Sequence, residues 1–192
     1  MQGKIIMTLL SKQRIALSTY FFLNGLCFAT WASRIPTIKD FFNFNEAELG
    51  TVLLAMPISS LIGLPISGWL VSKFDSRIPL LVSLLFFTLA LTLIGYATTS
   101  FFLVAALCLF SFSARILNIA MNTQSITLQK AYTKRIVGSF HGLWSLGGLL
   151  AVGFSTVMVK YQVEIHVHLM SIAVFTVLIA LFSYVYSLKN YK

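Results

Sequence analysis

Residues 79–97, PLLVSLLFFTLALTLIGYA, carry no charged side chain. They lie between Lys73-Phe74-Asp75-Ser76-Arg77 on one side and Thr98-Thr99-Ser100 on the other. Crossing ~30 Å of hydrocarbon takes about 20 helical residues, and this run has that length. It is continuously apolar rather than alternating with a period of two, which argues for a helix and against a barrel strand. Working outward, the same reading applies to 15–33, 49–71, 101–124, 136–159 and 167–188, which makes six expected spans in one bundle over residues 1–192. The composition agrees. Only 10% of residues are charged, against about 25% in a soluble domain, and mean hydropathy is +0.88.

The connections between these runs have recognisable chemistry. Asn45 with Glu48 three positions on reads as a helix N-cap opening the second span. Pro79 suits a first helical turn. A short polar turn at 98–100 and a basic stretch at 130–135 separate later spans, and the break at 160–166 is diffuse. The first apolar run is longer than the core of a signal peptide and lacks a small-residue cleavage site, so it reads as a retained span.

A net charge of +9 could suggest nucleic acid, but the cations sit between apolar runs instead of along one face, so no nucleic-acid partner is expected. They orient the chain instead. With the N-terminus inside, Lys4, Lys12, Arg14, Lys73, Arg77, Lys130, Lys134, Arg135, Lys189 and Lys192 face the cytoplasm, while Arg34, Lys39 and Lys160 face out. Four of the five acids, Asp40, Glu46, Glu48 and Glu164, fall outside. Both termini are therefore expected in the cytoplasm.

Arg115 is the remaining cation, and it lies within a span. A charge at that depth costs roughly 2.5–3.5 kcal/mol on the mildest scale, so it belongs in the bundle interior or in water. Ser111, Arg115, Asn118, Asn122, Ser125 and Gln129 recur at steps of three and four, which places them on one helical face. Two readings follow: a wall of an aqueous solute pathway, or a buried network joining helices. The first span has a thinner stripe of Tyr20, Asn24, Cys27 and Trp31. Tyr20 and Trp31 could equally be interface anchors, which would leave Asn24 as the inward polar group. Gly138 and Gly142 have the spacing that lets helices approach closely. His141 between them is a candidate proton carrier or a packing residue. Cys27 and Cys108 lie in apolar runs and suggest neither a disulfide nor a metal. His166 and His168, two apart on a helix, point to different sides, and no metal or cofactor is expected.

Gly68-Trp69-Leu70-Val71-Ser72-Lys73-Phe74-Asp75-Ser76-Arg77 resembles the cytoplasmic signature of the major facilitator superfamily. Gly68, Lys73 and Arg77 match, Ser72 stands where the acid is expected, and Asp75 where a glycine is expected. The stretches 31–39, 46–50 and 139–148, with Ala120-Met121-Asn122, look like a bacterial branch of that superfamily described by fucose permease and rhizopine-locus membrane proteins. The resemblance runs from about residue 13 to 188. Relatives often have an acid where this chain has Asn118, a departure that bears on proton coupling through the fourth span.

The resemblance implies an all-α membrane protein in which two inverted three-helix repeats form one half of the superfamily fold. It implies a non-enzymatic secondary transporter, a symporter among the possibilities, working by alternating access on a small polar solute, sugar-like in character. Asn24, Arg115, Asn118, Asn122 and His141 would bind that solute. The loop of Gly68, Lys73, Asp75 and Arg77 would latch one state of the cycle, or would only fix topology. The bilayer and a second six-helix half are the implied partners. Alternatives are a non-transporting fragment or assembly partner, drug efflux, and an intramembrane enzyme. For the last, the nearest candidate, Ser155, lacks the glycine pattern of a nucleophile elbow.

Overall fold

The computed structural model describes residues 2–187, with side chains from residue 9 onward. The expected end of the sixth span at Leu188, and Lys189 and Lys192, lie outside the described residues, as does the side chain of Lys4. The described chain is all helical. In order, the helices are α1 (Gln2–Ser33), α2 (Ile35–Phe42), α3 (Glu46–Lys73), α4 (Arg77–Gly95), α5 (Ser100–Gln129), α6 (Val137–Lys160) and α7 (Ile165–Tyr184). Among the described residues six segments are long and apolar enough to cross a membrane, with α1 and α2 counted as one continuous stretch.

Local chemistry accounts for the boundaries. Asn45 Oδ1 accepts from the Glu48 amide at 2.9 Å, and Glu48 Oε2 accepts from the Asn45 amide at 2.8 Å. This reciprocal cap satisfies donors that lipid could not. Thr99 caps α5 in the same manner through the amide of Phe102. Pro79 is the third residue of α4, where its missing N–H leaves no intrahelical bond broken. The short α2 was not expected. Pro36 stands in its first turn, and Asn43 closes it in the left-handed region at φ 53°, a conformation that asparagine tolerates. α3 carries Pro57 and Pro65 within its length. Neighbouring hydroxyls accompany such breaks in membrane helices, and here Ser111 Oγ donates to Met56 O at 2.7 Å.

The helix pairing has an internal symmetry. α1 packs chiefly on α6 and then on α7, while α5 packs on α3 and α4, and α4 packs on α7. Exchanging α1 with α5, α3 with α6 and α4 with α7 carries this pattern onto itself. The chain is thus two three-helix units, α1/α3/α4 and α5/α6/α7. Because each unit has an odd number of spans, the second runs opposite to the first. The core lies where the units meet, with Leu84, Phe87, Phe110, Leu117 and Met121 fully buried.

The closest approach is between α1 and α6. A Cβ on Gly25 would lie 2.0 Å from Trp144 O, and one on Gly147 would lie 2.2 Å from Phe22 O. The glycines expected to serve this purpose do not. An added Cβ on Gly138 or Gly142 meets nothing within 4 Å. Spacing on one helix identifies a small face but not the helix that covers it.

Candidate functional site

At mid-length of the bundle polar side-chain contacts tie α5 to α3 and α6 to α1. Arg115 Nε donates to Ser60 Oγ at 2.8 Å, between α5 and α3. Trp144 Nε1 donates to Asn24 Oδ1 at 2.7 Å, between α6 and α1. The helix exchange carries one of these helix pairs onto the other. They open on a cavity of about 220 Å³ bordered by Asn24, Phe28, Ser60, Arg115, Asn118 and Trp144. The stem of Arg115 passes over Gly63, whose missing side chain makes room for it, since a Cβ there would lie 3.3 Å from Arg115 Cβ and Cγ. Ser59 Oγ donates to Cys108 O at 2.7 Å and, with Ser111 to Met56, fixes the register of α3 on α5.

The polar stripe on α5 divides into two parts. Its first half, Ser111, Arg115 and Asn118, borders the cavity. Asn122 stands just below and bonds Asn118, its Nδ2 donating to Asn118 Oδ1 at 2.8 Å and to Asn118 O at 3.0 Å. The inner half is structural. Ser125 is fully buried and donates back to Asn122 O. Gln129 holds the α5–α6 connection, donating to Tyr132 O and Lys134 O and accepting from the Ile136 amide at 2.7 Å. His141 is exposed on α6, with its ring edge-on to Phe21 at 5.3 Å, and does not border the cavity. Phe28, Ser60 and Trp144 border it although sequence reading did not select them. Trp144 could have been found as an aromatic flanked by the small residues of the fifth span.

At one end of the bundle, Asp75 Oδ1 accepts from the Arg77 amide at 3.1 Å. Its other oxygen lies 3.4 Å from Arg77 Nε, an ion pair without hydrogen-bond alignment. Arg77 also lies over the ring of Tyr184 on α7, 5.3 Å from its centroid, and Lys73 lies over Trp69 at 4.6 Å. Gly68 is exposed and faces open space.

At the opposite end Arg34 is buried, where its sequence context suggested an exposed interfacial cation. Its Nε donates to His168 Nδ1 at 3.0 Å and an Nη donates to Val163 O at 2.9 Å. His168 is wholly buried, and because its Nδ1 accepts, its ring proton sits on Nε2. The pair joins the C-terminal end of α1 to the start of α7. Among the described residues no three His, Cys, Asp or Glu come together as a metal site requires.

Membrane-length helices, two inverted three-helix units and a polar cavity at their crossing define a polytopic helical membrane protein. The chain belongs to the major facilitator superfamily, whose family model matches residues 17–192. It is 33% identical over 141 residues to a protein of Yersinia pestis described as an uncharacterised MFS-type transporter, covering 73% of this chain and 37% of that one. It is 30% identical over 155 residues to an uncharacterised transporter of Sinorhizobium fredii, covering 80% and 41%. It is 34% identical over 137 residues to the membrane protein MosC of Rhizobium meliloti, covering 71% and 34%. The matched region is thus well under half the length of each of these relatives.

Proposed function

We propose that residues 1–192 form one six-helix half of a secondary transporter that moves a small, polar, sugar-like solute across the bacterial inner membrane by alternating access, with both termini cytoplasmic. The observation that carries this reading is the cavity at the crossing of the two repeats, with Asn24, Arg115 and Asn118 together at mid-length. Asn118 is exposed and Arg115 only half-buried on that side. Lipid contact there would be costly, which supports a second six-helix half as the cover. For symport, the chain offers His141 as a proton carrier, since no acid lies in the middle of a span.

The test is thiol labelling in intact cells, with Cys27 and Cys108 replaced by Ser. An impermeant maleimide should reach Thr98→Cys from outside and Lys134→Cys only after permeabilisation. Labelling of Asn118→Cys should be slowed by at least one sugar in a monosaccharide panel. Outside labelling of Lys134→Cys would reverse the orientation. Labelling at Asn118→Cys that no sugar affects would remove the solute site.

The Asp75–Arg77–Tyr184 cluster supports the latch reading, because it ties the start of α4 to α7 at the end proposed as cytoplasmic. Such partly buried charge contacts near the surface contribute ~0.3–1 kcal/mol each, enough to shift a two-state balance several-fold. Replacing both Lys73 and Arg77 by Gln should therefore lower turnover of the complete transporter several-fold and leave solute affinity within about twofold. Unchanged turnover would reduce the loop, Gly68 included, to a topology determinant.

A further inference from the structure

The cavity holds one fixed charge and no carboxylate to answer it. All five acids of the chain lie near helix ends or in connections: Asp40 in α2, Glu46 and Glu48 in the first turn of α3, Asp75 before α4 and Glu164 before α7. Glu46 pairs with Lys39, Asp75 with Arg77 and Glu164 with His166. Among the described residues, then, no carboxylate reaches Arg115.

The amides are oriented to match. Indole Nε1 can only donate, so its 2.7 Å contact fixes the oxygen of Asn24 toward Trp144 and leaves the Asn24 NH2 for the cavity. Asn122 bonds the carbonyl of Asn118, so its approaching atom is a nitrogen. That in turn fixes the oxygen of Asn118 toward Asn122 and leaves the Asn118 NH2 free. Ser111 spends its proton on Met56 O. What remains facing the cavity is a guanidinium edge and two amide NH2 groups as donors, with the hydroxyl oxygens of Ser60 and Ser111 as neutral acceptors. Phe28 and Trp144, with ring centroids 6.2 Å apart, supply an apolar wall.

Donors grouped around one half-buried cation fit a ligand rich in acceptors that carries one negative charge. We infer that the solute is a monovalent carboxylate on a hydroxylated carbon skeleton, a sugar acid, with its carboxylate on Arg115, its hydroxyl oxygens on Asn24 and Asn118, and its C–H face on Phe28 and Trp144. This inference rests on reading the cavity as a solute site. An amine would meet a like charge and no carboxylate. A phosphate monoester carries about −1.5 to −2 at neutral pH, more than one guanidinium offsets.

The test uses the full chain in lipid nanodiscs, with matched probes: glucose, glucosamine, glucuronate and glucose 6-phosphate, and the galactose set. Binding is read by slowing of Asn118→Cys labelling and by tryptophan fluorescence of the unmodified chain. The uronates should bind at least tenfold more tightly than their neutral parents, and the amino sugars least. Arg115→Gln should erase the difference between acid and neutral sugar. Tighter binding of a neutral sugar, amino sugar or sugar phosphate overturns the inference, as does an acid preference that survives in Arg115→Gln. Neutral sugars binding as well as acids would remove the anion assignment and keep the solute site. If no probe binds, both are lost.

Discussion

Gly25→Ala will separate α1 from α6. The added methyl would lie 2.0 Å from Trp144 O and 2.9 Å from Trp144 C. Both are backbone atoms, so no rotamer change relieves the clash, and the helices must move apart. Overpacking of a tight core typically costs about 1–3 kcal/mol and more when the obstacle is rigid. The shift would also lengthen the Trp144–Asn24 hydrogen bond, now 2.7 Å, and so open one wall of the cavity. The expected result is a chain that still inserts but loses thermal stability in detergent and any sugar binding. Gly147→Ala should behave alike, since its methyl would meet Phe22 O at 2.2 Å. Gly138→Ala and Gly142→Ala, which meet nothing within 4 Å, should be close to neutral in the same assay. The measurement is the melting temperature of each variant by fluorescence-detected size exclusion. A Gly25→Ala protein as stable as the parent would mean that α1 and α6 are not packed at this distance.

The second large effect is expected at Arg115. Hydrogen bonds to a charged group contribute about 1.5–3 kcal/mol each, so losing one bond to the solute corresponds to roughly 10–150-fold in affinity. Arg115→Ala should weaken solute binding by at least that factor while insertion survives, because removing a cation from a span eases its transfer into lipid. Arg115→Lys should fall between the two. It keeps the charge but loses the planar edge and the Nε donor that Ser60 now orients at 2.8 Å. Calorimetric titration of the variants with the tightest-binding sugar acid decides the matter. Parental affinity in Arg115→Ala would make the residue a packing cation that only joins α5 to α3.

The spans were legible because lipid demands length and apolarity from each helix by itself, and the cap at Asn45 because its partner is three residues away. The partners of the polar groups were less legible. Periodicity put Ser111 through Gln129 on one face of α5, yet that face meets α3 and the cavity at one end and the α5–α6 connection at the other. One stripe thus serves two purposes, and Gln129 belongs to the second. Arg34 looked like an interfacial cation because it follows the first span, and its burial depends on His168 and Val163, which are remote in sequence. The wall formed by Trp144 was hidden for the same reason, since aromatics in membrane helices are common and only the opposing Asn24 gives this one a role. α2 escaped notice because a short helix continuing from a span has no break in apolarity to announce it.

The pairing of α1 with α6 and α7 also sets a schedule for biosynthesis. Asn24 and its partner Trp144 are 120 residues apart, Arg34 and His168 are 134 apart, and Tyr20 and Ala180 are 160 apart. At about 5–20 residues per second, a ribosome needs roughly 6–24 s to add 120 residues. Throughout that interval the nascent first helix has neither Trp144 nor His168 to pair with. Lipid alone is a poor host for Asn24 and Arg34, so this helix is expected to stay at the insertion machinery, or with its polar groups near water, until the fifth and sixth spans are made. The first span is therefore the last to reach its final surroundings, and mutations in α6 or α7 should appear in the cell as early degradation of chains whose first helix never docks.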